Sequence, residues 1–318
     1  MSEEPLVSII IPCKEVDSYT QECIEYCKHL DYQNFEIILL PDRVTPTIDE
    51  VKVIATGPVT PGIKRNLAVK SSSGEYCAFI DNDAYPRSDW LTNALRYFKD
   101  PRIGCVGGPG LTPDGDGLMQ KAGGYVLSSF MVGSLSSRYK TEIDFESDDI
   151  HSCNFIARKS VLEAAGGWNE KYWPGEDTLI CLAIKKLGNK LIESSNVVVY
   201  HHRRSLFKPH LKQVSRFGEH RGFFVKKFPE NSKKITYFTP TLLLSSLFIG
   251  IVLSILFSFF TYILLFGIAV YLISCLIAAA SQVKGVKMVF TVWTGIITTH
   301  LVYGIFFISG LAKRDLKR

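Results

Sequence analysis

Residues 6–12 read Leu-Val-Ser-Ile-Ile-Ile-Pro (LVSIIIP), a nearly continuous apolar and β-branched run closed by proline. A half-solvated strand would alternate polar and apolar residues, so an unbroken run of this length predicts a strand buried on both faces, as a central parallel strand is. Working outward, residues 20–30 carry a helical pattern, 35–40 (FEIILL) a second strand, 51–55 a short third, 63–70 another helix and 75–80 a further strand. The pattern continues with helices over 88–98, 160–165 and 177–187 and strands over 103–106, 151–158 and 190–200, Gly166, Gly167 and Gly188 acting as helix stops. Strands alternating with helices predict an α/β fold with a doubly wound, mostly parallel sheet, which binds its ligands beyond the carboxyl ends of the strands. Residues 107–117 (GGPGLTPDGDG) are too rich in Gly and Pro for regular structure. The GGPG at their start lacks the spacing of a phosphate-binding or dinucleotide motif and reads as a mobile loop.

The 318 residues suffice for about two domains, and 47% hydrophobic with 21% charged residues excludes a disordered chain. The distribution is more telling. From Phe238 to Ala312 the only charged side chains are Lys284 and Lys287, whereas Met1 to Tyr237 holds 30 basic and 30 acidic ones, which excludes a wholly soluble protein. Residues 239–281 are about twice the roughly 20 needed to span a bilayer and predict a helical hairpin turning near 258–261; residues 288–311 are long enough for a third span. Three spans starting in the cytosol would carry Lys313, Arg314, Lys317 and Arg318 outside, against the positive-inside tendency. Either that rule is broken or one segment is re-entrant.

Residues 1–202 carry 20 basic and 28 acidic side chains, and 203–234 carry 10 and 2. An acidic globular domain argues against nucleic acid as a partner, while a basic collar before an apolar region suits an anionic membrane surface. Within that collar Phe207, Leu211, Val214, Phe217, Phe224 and Phe228 recur at helical spacing, as in a helix lying in the headgroup plane or one packed on the globular domain. The expected organisation is a globular domain over 1–202, a basic amphipathic segment over 203–237, an apolar region over 238–312 and a basic tail over 313–318. Eight cysteines without a C-x-x-C pair give neither a disulfide framework nor a zinc ribbon, and acids at the N-terminus do not suit a signal peptide, so the reducing cytosol is expected. His300, in the third apolar segment, reads as a functional suspect or as a neutral imidazole hydrogen-bonded between helices.

Asp81-Asn82-Asp83 follows a strand, where two carboxylates two residues apart can ligate a hard divalent cation or can serve an ordinary turn. Gly175-Glu176-Asp177 opens a helix, where acids also act as caps. The combination is more specific: the D-x-D, the approach GGWNEKYWPGED about ninety residues later, and Gln213-Val-Ser-Arg216-Phe217 beyond the last strand.

With the opening VSIIIPCKE and the blocks GIKRNLAVKSSSGEYCAFIDND and CNFIARKSVLEAAGGWNE, residues 5–235 resemble the family 2 glycosyltransferases of the GT-A fold, membrane-anchored here as in enzymes of polysaccharide assembly. QVSRF is similar to the Q-x-x-R-W of membrane-bound polysaccharide synthases with Phe for Trp, so their processivity is not carried over. The resemblance implies that Pro12, Cys13, Glu15 and Asp42 hold the base and ribose of a nucleotide sugar (UDP-, GDP- or dTDP-linked), with Lys64 and Arg65 near it. Asp81 would approach the ribose or a metal-bound water, Asp83 would ligate Mn²⁺ or Mg²⁺, and His201 or His202 would add a ligand. Asp177 would be the general base. Glu176 and Trp173 would bind the acceptor, and Gln213 and Arg216 would lie over the diphosphate or acceptor end. The expected activity is inverting transfer from a nucleotide sugar to a hydroxyl of a lipid-linked acceptor by an integral protein of the cell membrane whose catalytic domain is cytoplasmic. The alternatives are a polyprenyl-phosphate sugar synthase and, outside enzymes, an inactive nucleotide-sugar-binding scaffold.

Overall fold

The computed structural model describes residues 4–132, 138–139 and 143–316; Lys317 and Arg318 of the expected tail lie outside the described residues. In chain order the elements are β1 (Val7–Pro12), α1 (Ser18–Lys28), β2 (Phe35–Leu40), β3 (Val51–Val53), α2 (Pro61–Ser71), β4 (Tyr76–Phe79), β5 (Ala84–Pro86) and α3 (Trp90–Leu95). Then come β6 (Ile103–Gly107), β7 (Gly110–Leu111), α4 (Leu118–Leu127), β8 (Phe145–Glu146), β9 (Phe155–Arg158), α5 (Lys159–Ala164), α6 (Glu176–Lys186), β10 (Lys190–Glu193) and β11 (Val199–His201). The rest is helical: α7 (Lys208–Lys227), α8 (Pro229–Ser232), α9 (Ile235–Leu256), α10 (Ser258–Ala280) and α11 (Val286–Ala312). The chain divides into two compact units, Met1–Pro113 with Lys140–His202, and Asp114–Tyr139 with Arg203–Arg318.

The first unit is built on a mostly parallel sheet of order β3-β2-β1-β4-β9-β6-β10-β8, with β9 antiparallel to both neighbours. β1 is central and wholly buried, as its apolar run requires. Its residues alternate between two cores: Ile9 and Ile11 meet Cys23, Ile24, Trp90 and Leu91 on one face, and Ile10 joins Phe79, Phe155, Trp168 and Ile180 on the other. Burying each such side chain stabilises the fold by roughly 1.5–3 kcal/mol, which fixes the strand order around β1.

A small second sheet, order β5-β11-β7, stands at the carboxyl end of the first. It corrects two expectations. The strand foreseen over 190–200 is two: β10 ends at Glu193, and the Ser194-Ser195-Asn196 turn, closed by the Asn196 amide donating to Ser194 Oγ at 3.2 Å, sends β11 to the other sheet. The GGPG stretch is not a mobile loop, because Gly107 ends β6, Gly110 begins β7 and all four residues are buried. A Cβ on Gly108 would lie 2.1 Å from the Val197 carbonyl oxygen, so glycine is there to let two backbones touch. Asn154, fully buried, fastens this corner: its Oδ1 accepts from Trp90 Nε1 (2.8 Å) and its Nδ2 donates to the Val197 carbonyl (2.7 Å).

In the second unit α9, α10 and α11, of 22, 23 and 27 residues, are long and apolar enough to cross a membrane. The hairpin turn falls at Phe257. Val214 of the apolar stripe of α7, with Val225, clusters with Tyr303 and Phe307 of α11. Among the described residues all eight cysteines are free and buried.

Asn154→Leu would strand the Val197 carbonyl and the Trp90 indole N–H without their partner, so unfolding of the first unit, followed by pulse proteolysis, is expected to become easier by about 2–6 kcal/mol, the sum of two unsatisfied groups.

Candidate active site

The site forms where the two sheets meet. Asp81 follows the carboxyl end of β4, Asp83 precedes β5, and antiparallel pairing sets His201 of β11 opposite Ala84. The His202 amide donates to the Asp83 carbonyl (2.9 Å) and locks the register. One ligand atom each from Asp81, Asp83 and His201 then lies within 4.8 Å of the others, and His201 Nε2 is 3.2 Å from Asp83 Oδ1. Strand alternation sends His202 to the opposite face, where its Nε2 meets Glu22 Oε2 at 2.9 Å and its ring lies 4.4 Å from Tyr19. Of the two candidate histidines, therefore, only His201 faces the carboxylates. Asn82 turns away to donate to Thr20 Oγ1 (3.0 Å).

Behind His201, Cys153 Sγ approaches His151 Nδ1 at 3.0 Å, and His151 Nε2 meets the Gly108 carbonyl at 2.9 Å. Burial opposes ionisation of the Cys153 thiol, but His151 and His201 outweigh it and bring the thiol down to about 6. Burial likewise disfavours an imidazolium at His201, and the charges of Cys153 and Asp83 outweigh it, up to about 10. A cation at the cluster would take the imidazole lone pair and displace that proton. Two carboxylates and an imidazole make a donor set that fits Mn²⁺ well and Mg²⁺, which prefers oxygen and water, less well.

Arg65, buried in α2, joins this cluster to the start of α6. Its Nη1 donates to Glu176 Oε1 (2.8 Å), and its Nη2 donates to Asp81 Oδ1 and Ser152 Oγ (both 3.0 Å). Its guanidinium carbon lies 4.7 Å from the centre of the Trp168 ring. Burial pushes the Glu176 carboxyl up to about 7, Arg65 pulling the other way and Asp177 adding to the rise. Gly175, at φ 110°, turns the chain into α6 in a conformation that favours glycine, and the Thr178 amide donates to Asp177 Oδ1 (2.8 Å). Trp173 is exposed two residues earlier.

Lys64 occupies a different position from Arg65. Its Nζ donates to the Cys13 carbonyl (2.5 Å), the Leu40 carbonyl (3.1 Å) and Asp42 Oδ1 (2.5 Å), tying the ends of β1 and β2 together. Buried with all three donors engaged, it braces the crevice walls at Pro12, Cys13 and Asp42. Glu15 is exposed at the rim, and burial raises the Cys13 thiol to about 11. Gln213 and Arg216 lie on α7 in the second unit. Sequence reasoning missed Ser152, Trp168 and His151, although Ser152 adjoins and Trp168 falls within the CNFIARKSVLEAAGGWNE block.

The family model described as glycosyl transferase family 2 matches residues 8–166. A Methanococcus voltae protein named dolichyl N-acetyl-alpha-D-glucosaminyl phosphate 3-beta-D-2,3-diacetamido-2,3-dideoxy-beta-D-glucuronosyltransferase is 24% identical over 241 residues, covering 70% of this chain and 74% of that protein. The pre-mycofactocin glycosyltransferase of Mycobacterium tuberculosis is 24% identical over half of this chain, which spans a third of it. Among solved structures, a mannosyltransferase of Pyrobaculum calidifontis in complex with GDP-Man and Mn²⁺ superposes with a TM-score of 0.57 at 18% identity, covering 99% of this chain and 89% of that one. GalNAc-T7 with UDP, GalNAc and Mn²⁺ gives 0.52 at 16% identity, covering 74% and 52%. Both likenesses agree with the GT-A fold.

Arg65→Leu would leave Glu176 buried without its counter-charge, a loss of about 3–5 kcal/mol in denaturant unfolding, and Glu176→Gln in the same chain should restore part of it. Glu176 holds its proton more tightly folded than at the ordinary 4.5, so its contribution to stability is full below pH 4.5 and declines as pH rises through about 7. Glu176→Gln should flatten the stability profile across that window.

Proposed function

The chain belongs to glycosyl transferase family 2, and from that premise we propose that it moves a sugar from a nucleotide-sugar donor to a hydroxyl of a membrane-associated, lipid-linked acceptor, with inversion, in glycan or polysaccharide assembly. The observation that carries this reading is the Asp81, Asp83 and His201 cluster joined through Arg65 to the helix start that bears Asp177. Donor activation and acceptor activation need opposite electrostatics, and on this reading the cluster would serve the first and Asp177 the second.

The braced ends of β1 and β2, at Pro12, Cys13 and Asp42, would receive the base and ribose. A cation held by Asp83 and His201, with Asp81 beside it, would neutralise charge on the departing diphosphate, and the nitrogen donor favours Mn²⁺. Asp177 would accept the proton of the acceptor hydroxyl as its oxygen bonds to the anomeric carbon and the bond to the diphosphate breaks on the opposite face. Glu176, fixed by Arg65, would set the direction in which α6 presents that base, and the exposed Trp173 would offer a stacking surface for an acceptor sugar. The apolar helices support a lipid-linked acceptor, because an acceptor anchored in a bilayer delivers its headgroup to an enzyme held at the same surface. The relative from Methanococcus voltae, whose name specifies a dolichyl-phosphate-linked acceptor, supports the same class. On this reading the first unit works at the cytosolic face of the cell membrane.

Nucleoside-diphosphate release by the full chain in nanodiscs, across UDP-, GDP- and dTDP-sugars with a polyprenyl-linked saccharide, tests the proposal. One donor should turn over, and Asp177→Asn should lower its rate by about 10²–10⁴-fold, the range of a general base. Turnover onto polyprenyl phosphate that survives Asp177→Asn would move the activity to a polyprenyl-phosphate sugar synthase, whose anionic acceptor needs no strong base. Chelation should abolish release, with Mn²⁺ restoring more of it than Mg²⁺, and Asp83→Ala should not be restored by either.

A further inference from the structure

The three apolar helices do not make equivalent contacts. α9 and α10 form an antiparallel hairpin in which a Cβ on Gly250 would lie 2.8 Å from Leu264 Cδ1, and this pairing sets Phe238 level with about Leu276. The most apolar window of α9 has no residue buried inside the protein, and large apolar side chains from Phe248 to Phe266 are exposed around the hairpin tip. That is how two helices solvated by lipid look. α11 has almost half of its most apolar window buried.

Among the described residues, the polar and ring contacts of α11 with the hairpin lie at its foot. Trp293 Nε1 donates to the Leu272 carbonyl (2.9 Å), and His300 Nδ1 meets the Tyr271 hydroxyl (2.9 Å). A helix running alongside α10 toward the tip would continue past Tyr271 toward Ser258. Instead the partner changes: Gly304 packs on Pro240 and Leu244 of α9, and Phe307 lies 5.1 Å from the Phe238 ring, back at the level of Leu276. Between Trp293 and Phe307, α11 advances by about 21 Å at 1.5 Å per residue without climbing the hairpin. It crosses the foot rather than running beside it.

The helix that packs against the remainder of α11 is a charged one. α7 runs parallel to its second half: His210 Nε2 meets Thr299 Oγ1 at 2.9 Å, Glu219 Oε1 pairs with Lys313 Nζ at 2.6 Å, and Lys226 Nζ donates to the Lys313 carbonyl at 2.6 Å. The two backbones touch, since a Cβ on Gly222 would lie 2.1 Å from the Phe307 carbonyl oxygen and one on Gly310 would lie 2.0 Å from that of Glu219. The depth of one helix is therefore the depth of the other. α7 carries Lys208, Lys212, Arg216, Glu219, Arg221, Lys226 and Lys227, so a spanning α11 would draw these charges into hydrocarbon, where they are strongly disfavoured. The first half of α11 is covered likewise, Gly295 packing on Val126 of α4 and on Leu206.

We infer that α11, despite its length and hydropathy, does not cross the bilayer: only α9 and α10 span, while α11 lies at the membrane boundary across their foot and returns the C-terminal tail to the side from which α9 enters. The face left to lipid is the stripe of Val286, Phe290, Ile305 and Ile308, all exposed and within about one third of the helix circumference at 3.6 residues per turn. Lys313 and Arg314 then fall on the same side as the basic α7, which satisfies the positive-inside tendency that three spans would violate. This inference rests on reading the second unit as a membrane anchor.

The test is labelling with a membrane-impermeant maleimide in sealed vesicles of each orientation. The native thiols are buried among the described residues, so the unsubstituted chain is the blank. Val44→Cys marks the first unit, Phe257→Cys the hairpin tip and Arg314→Cys the tail; all three positions are exposed. Val44→Cys and Arg314→Cys should label from one side and Phe257→Cys from the other. Labelling of Arg314→Cys from the side of Phe257→Cys would overturn the inference while leaving the anchor intact. Labelling of all three from one side, and of none from the other until detergent is added, would overturn the anchor reading and the inference together.

Discussion

The Arg65 guanidinium is the interaction on which the site depends. Fully buried, it needs acceptors, and its two Nη atoms take one carboxylate from beyond the end of β4, one from the start of α6 and a hydroxyl from the turn before β9. Three segments spread from Asp81 to Glu176 are thereby held at hydrogen-bond length by one planar cation, a task suited to the rigid fork of arginine and not to lysine. Two acids beside one another at the head of α6 repel, and a carboxylate as buried as Glu176 is tolerated because this cation lies against it.

Lys64 shows the same economy one residue earlier. Adjacent residues on a helix point about 100° apart, so the pair Lys64-Arg65 addresses two regions: the ammonium closes the ends of β1 and β2, and the guanidinium closes the gap between β4 and α6. The crevice is rigid because its basic residues are spent on protein oxygens.

Much of this was legible in the sequence. The unbroken apolar run of β1 and the alternation of strand and helix patterns announced the α/β sheet, and D-x-D and G-E-D are the two motifs whose carboxylates Arg65 draws together. What stayed hidden was tertiary. β5, β7 and β11 have three, two and three residues, too short to leave a period, yet their register decides that His201 and not His202 faces Asp83. Gly107 to Gly110 looked like loop because glycine normally marks one, whereas Gly108 admits the close approach of Val197 and Gly107 that of Ile150 and Asn154. The pair Gly123-Gly124 likewise obscured α4. For α11, hydropathy reports what a helix could tolerate around it and not what packs there, and only the neighbouring charged helix distinguishes the two.

The parity of β11 has a consequence for how this site withstands change. Tandem histidines occupy both faces of a strand end, one toward the carboxylates and one toward Glu22 and Tyr19. A one-residue slip of β11 against β5 exchanges the faces of every side chain on it. Here such a slip would present one imidazole in place of another, so the chemical identity of the donor set is redundant against a register error, and an insertion or deletion next to this strand is a change the cluster is equipped to survive.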